Sequence, residues 1–155
     1  MNRIPGIYLP LIGFMMLSVI AQQGEAALGR SSDSVSTDRK ALSAVHRATI
    51  SRSGYRIQEI ASDATTVREY VSPSGVVFAI VWNGRMHPDL TTLLGSYAAE
   101  YQAAVQQTSR KRGRRRRQVV SEQIVVETWG HMRNLQGRAY APALIPSGVT
   151  IDEIR

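Results

Sequence analysis

The fold is decided by residues 65–82, which read TTVREYVSPSGVVFAIVW. Residues 65–72 alternate in character with a period of two, which is typical of a β-strand. Pro73-Ser74-Gly75 favours a tight turn, because Pro presets φ and Gly can adopt a positive φ. Residues 76–82 are apolar throughout and rich in β-branched and aromatic side chains. This pattern predicts a central strand that is covered on both faces.

Elements on both sides of this strand pair extend the prediction. Residues 55–60, YRIQEI, predict a preceding strand, and Ser62-Asp63-Ala64 a turn, so that three strands form an antiparallel meander. After the meander, Pro88 favours the start of a helix that continues to about Gln107. One apolar face follows this segment at helical spacing. Its residues are Leu90, Leu93, Leu94, Tyr97, Tyr101 and Val105.

Weaker patterns complete the fold. Ser34 or Ser36 can cap a short N-terminal helix that runs to about Ala48. Two further strands are predicted, within residues 118–129 and around 137–141. We therefore predict an α+β fold. Its antiparallel sheet, a three-stranded meander plus a C-terminal strand pair, is covered by one long amphipathic helix, with a short N-terminal helix beside it.

The N-terminal residues predict a signal peptide over residues 1–26. Arg3 provides a positive charge, residues 7–21 are apolar, and Gly24-Glu25-Ala26 has the small residues of a cleavage site before Ala27. A cut before Gln22 is the other possibility for processing. The competing interpretation is an uncleaved membrane anchor, against which Pro5, Pro10 and Gly13 argue. The expected location is the periplasm or the medium, with residues 27–155 as a single domain.

Charge is concentrated in one short stretch. The chain has a net charge of +7, from 19 basic and 12 acidic residues. Residues 110–117, called the arginine tract below, contain seven basic residues and no acidic one, and without them twelve basic residues balance twelve acidic ones. We expect the tract to lie in a basic loop, residues 108–118. The chain has no cysteine, which excludes disulfides, a thiolate zinc site, a cysteine nucleophile and a lipoprotein anchor.

The arginine tract has three interpretations. It is a solvated loop without a partner, a contact for anionic surfaces such as lipid head groups, lipopolysaccharide or extracellular DNA, or a site for trypsin-like proteases. No aromatic residue interrupts it, so specific nucleic-acid binding is not expected. The candidate contacts with an anionic surface are Arg110, Lys111, Arg112, Arg114, Arg115, Arg116 and Arg117.

No other pattern predicts a reaction. Glu59 and Glu69 lie on adjacent predicted strands and could act as a carboxylate pair, but charge pairing with nearby Arg56 and Arg68 explains them as well. The sequence contains no GxSxG nucleophile motif, phosphate loop or dinucleotide fingerprint. The histidines, His46, His87 and His131, have no metal-ligand spacing. We predict no catalytic, cofactor-binding or metal-binding residue.

The aromatic side chains predict either a shared core or an exposed contact patch. A core between sheet and helix accounts for all of them. Trp82, at the end of a predicted strand, is the candidate for contact with a partner. The set consists of Tyr70, Phe78, Trp82, Tyr97, Tyr101 and Trp129.

Blocks of sequence on both sides of the arginine tract carry a resemblance. They are Ala27–Gly29, Val67–Ala79 with Trp82, Pro88–Leu90, Leu94–Tyr97, Gly130–Arg133, Gly137–Tyr140, Pro142 and Ile145–Val149. Their order and spacing resemble those of a family of small exported bacterial proteins, domain-of-unknown-function family 2844. The resemblance implies export, a bacterial source and a single domain, and it assigns no catalytic position. The arginine tract falls between the blocks, as a loop peculiar to this chain would.

These observations predict an exported, non-enzymatic binding or accessory protein of the periplasm or cell envelope. Its expected partner is an envelope protein or an anionic envelope component, and only the signal peptide would enter the inner membrane. Two alternatives stay open. One is a small hydrolase-like enzyme with an unrecognised site, and the other is a protein tethered to the membrane by an uncleaved signal.

Overall fold

A computed structural model describes residues 28–31, 45–108 and 116–155. The predicted signal peptide and most of the arginine tract lie outside these residues. Most of the described chain is β-structure. The strands are β1 (Val45–Arg52), β2 (Tyr55–Ala61), β3 (Thr65–Val71), β4 (Val77–Gly84), β5 (Arg117–Val120), β6 (Val125–His131) and β7 (Asn134–Tyr140).

All seven strands form one antiparallel sheet in the order β1-β2-β3-β4-β7-β6-β5. Strands β1 to β4 form an N-terminal meander, and β5 to β7 form a C-terminal one. The two meanders are joined where β7 pairs with β4, from Ala79 opposite Tyr140 to Gly84 opposite Leu135. Strand β4 therefore lies at the centre of the sheet, and residues 77–82 are buried.

The sheet has a core on each face because successive side chains of a strand point to opposite sides. On the first face, Leu28 and the helical residues Leu93, Leu94 and Ala98 pack against side chains such as Trp82. On the second face, the chain after β7 packs against an aromatic group. That group contains Tyr55, Tyr70 and Phe78, with ring centroids 5.7–6.1 Å apart.

The predicted α+β class is wrong, because the sheet dominates and no long helix covers it within the described residues. The expected helix of residues 88–107 is two helices, α1 (Leu90–Leu94) and α2 (Ala98–Gln107), separated by a 3₁₀ turn at Gly95–Tyr97. Gly95 has a φ of 51°, which is outside the right-handed helical region. The apolar stripe places Leu93 and Leu94 in the core as predicted from its spacing, but the conformation of Gly95 ends the first helix.

The N-terminal helix is also wrong where the structure describes it, because residues 45–52 form strand β1. A bulge between His46 and Ala48 lets β1 pair with β2 along its whole length. Residues 32–44 lie outside the described part of the chain. The predicted C-terminal pair is three strands, since residues 118–129 fold back at Ser121–Ile124 and so divide between β5 and β6.

Among the residues that the structure describes, no helix is long and apolar enough to cross a membrane.

Candidate anion-binding cleft

The C-terminal meander places a buried carboxylate among basic side chains. In register, Glu127 on β6 lies opposite Arg138 on β7 and Gln118 on β5. Arg138 Nε donates a hydrogen bond to Glu127 Oε2 at 2.6 Å, and Arg116 Nη2 donates one to Oε1 at 2.8 Å. Gln118 Nε2 donates to Oε1 at 3.0 Å. Both carboxylate oxygens are thus bound, as a buried charge requires.

The charged form of Glu127 is the stable one. Burial raises the pKa of Glu127, but the hydrogen bonds and positive charges of Arg138 and Arg116 outweigh burial and bring the pKa below its ordinary value. The side chain of Glu127 is 4% exposed and that of Arg138 16%, so this ion pair is largely shielded from water. The side chain of Arg116 is 64% exposed. Glu127 therefore fixes Arg138 within the sheet and holds only one end of Arg116.

Beside this group, on the second face, lies a cleft of about 350 Å³. Its lining consists of Arg116, Trp129, Arg138, Ile154 and Arg155. These five residues are called the anion cleft below. Trp129 follows Glu127 by two positions on β6 and therefore shares its face.

The wall formed by Trp129 is fixed by neighbouring side chains. Trp129 Nε1 donates to Oε1 of Gln136, its partner on β7, at 3.0 Å. The guanidinium of Arg116 lies over the Trp129 ring, 6.0 Å from the ring centroid. That distance is at the limit of a cation–π contact. The ring is oriented by its hydrogen bond and is only loosely covered by the arginine.

The opposite wall of the cleft is the last part of the described chain, which is tied to the sheet. Arg138 Nη1 donates to the carbonyl oxygens of Ile151 and Ile154 at 2.9 and 3.1 Å. The hydroxyl of Tyr70 donates to the backbone oxygen of Arg155 at 2.7 Å and accepts from its backbone N–H at 3.1 Å. Arg138 and Tyr70 therefore set the width of the cleft.

The charges of the cleft favour an anion. Three arginines are among the residues that line it, and Glu127 neutralises one of their positive charges. Arg138 is fully engaged at Nε and Nη1, whereas Arg116 uses one N–H, so most of its donors are available to a ligand. Within the described residues, the guanidinium of Arg155 makes no hydrogen bond or ion pair. None of the five lining side chains is a histidine, a carboxylate or a hydroxyl that would act as an acid, a base or a nucleophile.

The structure places the predicted contact residues in three different settings. Arg116, near the end of the arginine tract, lines the cleft. Arg117 begins β5, and its Nη2 lies 3.5 Å from the carbonyl oxygen of Val105. The other five, Arg110, Lys111, Arg112, Arg114 and Arg115, lie outside the described residues. Trp82 is 1% exposed, so a partner would reach its ring only after a rearrangement of the core.

The remaining chemical candidates do not come together. Glu59 and Glu69 occupy neighbouring register positions, opposite Arg68 and Gln58 respectively, so they point to opposite faces of the sheet. Glu59 accepts a hydrogen bond from Arg68 Nε at 2.9 Å, which agrees with the charge-pair interpretation. Glu69 is buried in the first face.

The three histidines are also separate. His46 lies in β1 and His131 at the end of β6. The Nδ1 atom of His87 accepts a hydrogen bond from Trp82 Nε1 at 3.1 Å, and burial lowers the pKa of His87. In the described ranges, no three His, Asp or Glu side chains are grouped so that they could hold a metal.

The sequence interpretation missed Glu127, Arg138 and Arg155, and it named Trp129 only within the aromatic set, without a link to these charged residues. A signal was available, because a two-residue turn at Met132-Arg133 places Glu127 opposite Arg138 by counting back from His131 and Asn134. That turn was hidden because it lacks the Asn-Gly or Asp-Gly pair that such hairpins favour. Both turn residues have positive φ, 29° and 64°, although neither is glycine.

A family model described as "Protein of unknown function (DUF2844)" matches residues 24–154. No curated protein and no solved structure matches the chain.

Proposed function

This chain belongs to the DUF2844 family of proteins of unknown function, and from that premise we propose that it is an exported, non-enzymatic binding protein of the periplasm or cell envelope. Its partner in this proposal is a phosphate-bearing anionic component of the envelope. The anion cleft and the arginine tract are the surfaces that make the contact.

The proposal of export rests on the N-terminal residues. Arg3, the uncharged apolar stretch over residues 7–21 and the small residues around Ala26 follow the order of a signal peptide. The family match begins at residue 24, just before the proposed cleavage point. This start agrees with a leader that is not part of the family domain.

One observation carries the proposal of anion binding. Arg116 belongs to the arginine tract and also lines the anion cleft, whose lining includes two more arginines, Arg138 and Arg155. Because Arg116 is part of both, the arginine tract and the anion cleft are adjacent along the chain and can contact the same anionic partner. Arginine suits this role because its planar group binds phosphate and carboxylate oxygens in pairs.

Binding is tested with vesicles of phosphatidylglycerol and, separately, with lipopolysaccharide. We expect sedimentation with both and none with phosphatidylcholine vesicles, and weaker binding as salt is raised because the contact is electrostatic. Replacing the basic residues of 110–115 by Gln, together with Arg116→Gln, should abolish it. Arg56→Gln is the matched control, since Arg56 is an exposed arginine on β2 that lies opposite Val71 and therefore on the first face of the sheet, away from the cleft. Equal binding to neutral vesicles would refute the anionic partner.

Export is tested independently of binding. The full chain is expressed in a bacterium, the cells are fractionated, and the mass of the protein is measured. We expect the protein in the periplasm or the medium, with Ala27 at its N-terminus. Recovery from the cytosol with Met1 still attached would contradict an envelope role.

A further inference from the structure

We propose that the anion cleft binds a small amphipathic anion, that is, one carboxylate or phosphate group attached to an apolar ring system. This inference rests on the proposed function, because it uses the same cleft and names the class of ligand that enters it. The arginine tract would then contact the extended anionic surface of the envelope, and the anion cleft would bind a single small molecule.

The size of the cleft limits the ligand. Its volume of about 350 Å³ is near the lower end of the range that holds small organic ligands, roughly 300–1,000 Å³. Its walls are fixed by the hydrogen bonds of Trp129 to Gln136 and of Arg138 to the backbone of residues 151 and 154. The space is therefore preformed, and it suits one ring system with one substituent.

The charges of the cleft fix where the anionic group lies. Arg138 is held by Glu127 and by two carbonyl oxygens, so it forms the wall and has few donors left. Arg116 and Arg155 have most of their N–H groups available, and we assign the carboxylate or phosphate oxygens to these two. Glu127 offsets one of the three positive side-chain charges, and the remaining excess favours an anion.

The rest of the cleft is apolar. Trp129 provides it, together with the methylene groups of the arginines, and the fully buried Ile154 lies behind this surface. An indole face stabilises a planar or alicyclic ring that lies against it. Arg116 lies 6.0 Å from the Trp129 ring, so a ring that enters beside the indole would meet the guanidinium with its anionic substituent.

Isothermal titration calorimetry with four compounds tests whether the cleft binds such an anion. The protein is used as it is purified from the expressing cells. 1-Naphthoate and 1-naphthyl phosphate carry both features, 1-naphthamide has the ring without the charge, and inorganic phosphate has the charge without the ring. We expect one site per chain for the first two, with any preference between them identifying the anionic group. The other two should bind at least tenfold more weakly.

Two variants place the binding in the cleft. Arg155→Gln changes an exposed side chain at the mouth of the cleft, and Trp129→Phe keeps a ring while removing the indole N–H. We expect Arg155→Gln to weaken naphthoate binding at least tenfold, and Trp129→Phe to weaken it less. Arg56→Gln should leave it unchanged. Equal binding of 1-naphthamide, or full binding by folded Arg155→Gln protein, would overturn the inference.

The two proposals fail in different ways. If 1-naphthoate and 1-naphthyl phosphate do not bind while anionic vesicles do, the assignment of a small ligand is wrong and the proposed function stands. If they bind while vesicles and lipopolysaccharide do not, the cleft is a ligand site and the envelope surface is the wrong partner.

Discussion

Replacing Glu127 by Gln should destabilise the protein by about 3 kcal/mol, at the lower end of the roughly 3–5 kcal/mol expected for breaking a buried ion pair. The change removes the charge that compensates Arg138, whose side chain is only 16% exposed. The lower end applies because Arg138 keeps its hydrogen bonds to two carbonyl oxygens. Arg116, 64% exposed, is rehydrated in the variant, so its share is at most about 1 kcal/mol.

The measurement is urea unfolding at pH 7, followed by tryptophan fluorescence. Arg116→Gln should cost less than about 1 kcal/mol, because it removes only the exposed partner. Glu59→Gln is the matched control, since Glu59 also binds an arginine, Arg68, but with side-chain exposures of 18% and 38%. We expect the control to cost at most about 1 kcal/mol. If Glu127→Gln costs no more than Glu59→Gln, the buried pair does not stabilise the sheet as argued.

The same carboxylate predicts a dependence on acid. Its pKa in the folded protein lies below the ordinary value of 4.5, so below that pH the unfolded chain binds more protons than the folded one. The stability that Glu127 contributes is therefore complete above about pH 4.5 and is lost as the pH falls through the folded pKa. In the Glu127→Gln variant, the free energy of unfolding should therefore fall less steeply as the pH is lowered. An unchanged acid dependence in the variant would contradict the assignment.

Three further outcomes follow from single contacts. Gly137→Ala should cost about 3 kcal/mol or more, because its new methyl group would collide with the ring of Trp82, and urea unfolding measures it. Tyr70→Phe should cost about 1–2 kcal/mol by removing both hydrogen bonds to the Arg155 backbone, and hydrogen exchange should quicken in residues 149–155. Acidification should break the bond from Trp82 to His87. The stability that this bond contributes is present above pH 6.5 and is lost as the pH falls through the lowered pKa of His87, with a shift in Trp82 emission.

Each of these outcomes has its own check. Gly148→Ala tests a strained φ of 86° without any neighbour within 4 Å, so it should cost less than Gly137→Ala. Tyr140→Phe is the comparison for the hydroxyl of Tyr70, and unchanged exchange in Tyr70→Phe would contradict the role of its hydroxyl. For His87, the emission is read in a Trp129→Phe background, which leaves Trp82 as the reporter. An emission that is independent of pH would argue against the bond.

The local part of the fold could be predicted because it depends on local signals. The predicted meander of residues 55–60, 65–72 and 76–82 corresponds to β2, β3 and β4, where period two and turn residues agree. The helices were predicted as one because the apolar stripe continues through Gly95, while its positive φ depends on the tertiary structure. The predicted N-terminal helix overlaps β1 at residues 45–48, because the alanines of this segment have helical spacing, and pairing with β2 overrides that preference.

The anion cleft could be predicted only in part. The arginine tract marked Arg116 by charge alone, and that residue does line the cleft. The other lining residues come from β6, β7 and the end of the described chain, which are brought together by register and by long-range hydrogen bonds. No spacing in the sequence links Trp129 with Arg155, because the contact exists only once the chain after β7 has folded back over the second face.

The pairing of β7 with β4 has a consequence for a chain that is cut between Thr108 and Arg116. The two fragments would each contain a complete meander, and the six register pairs from Ala79–Tyr140 to Gly84–Leu135 would still connect them without a covalent bond. Apart, each fragment would expose a long unpaired strand edge, which favours aggregation. Reassembly would become a second-order reaction that depends on fragment concentration. At low concentration, an intact backbone is therefore needed for the two halves to find each other. Once they have paired, the backbone connection contributes much less to keeping them together.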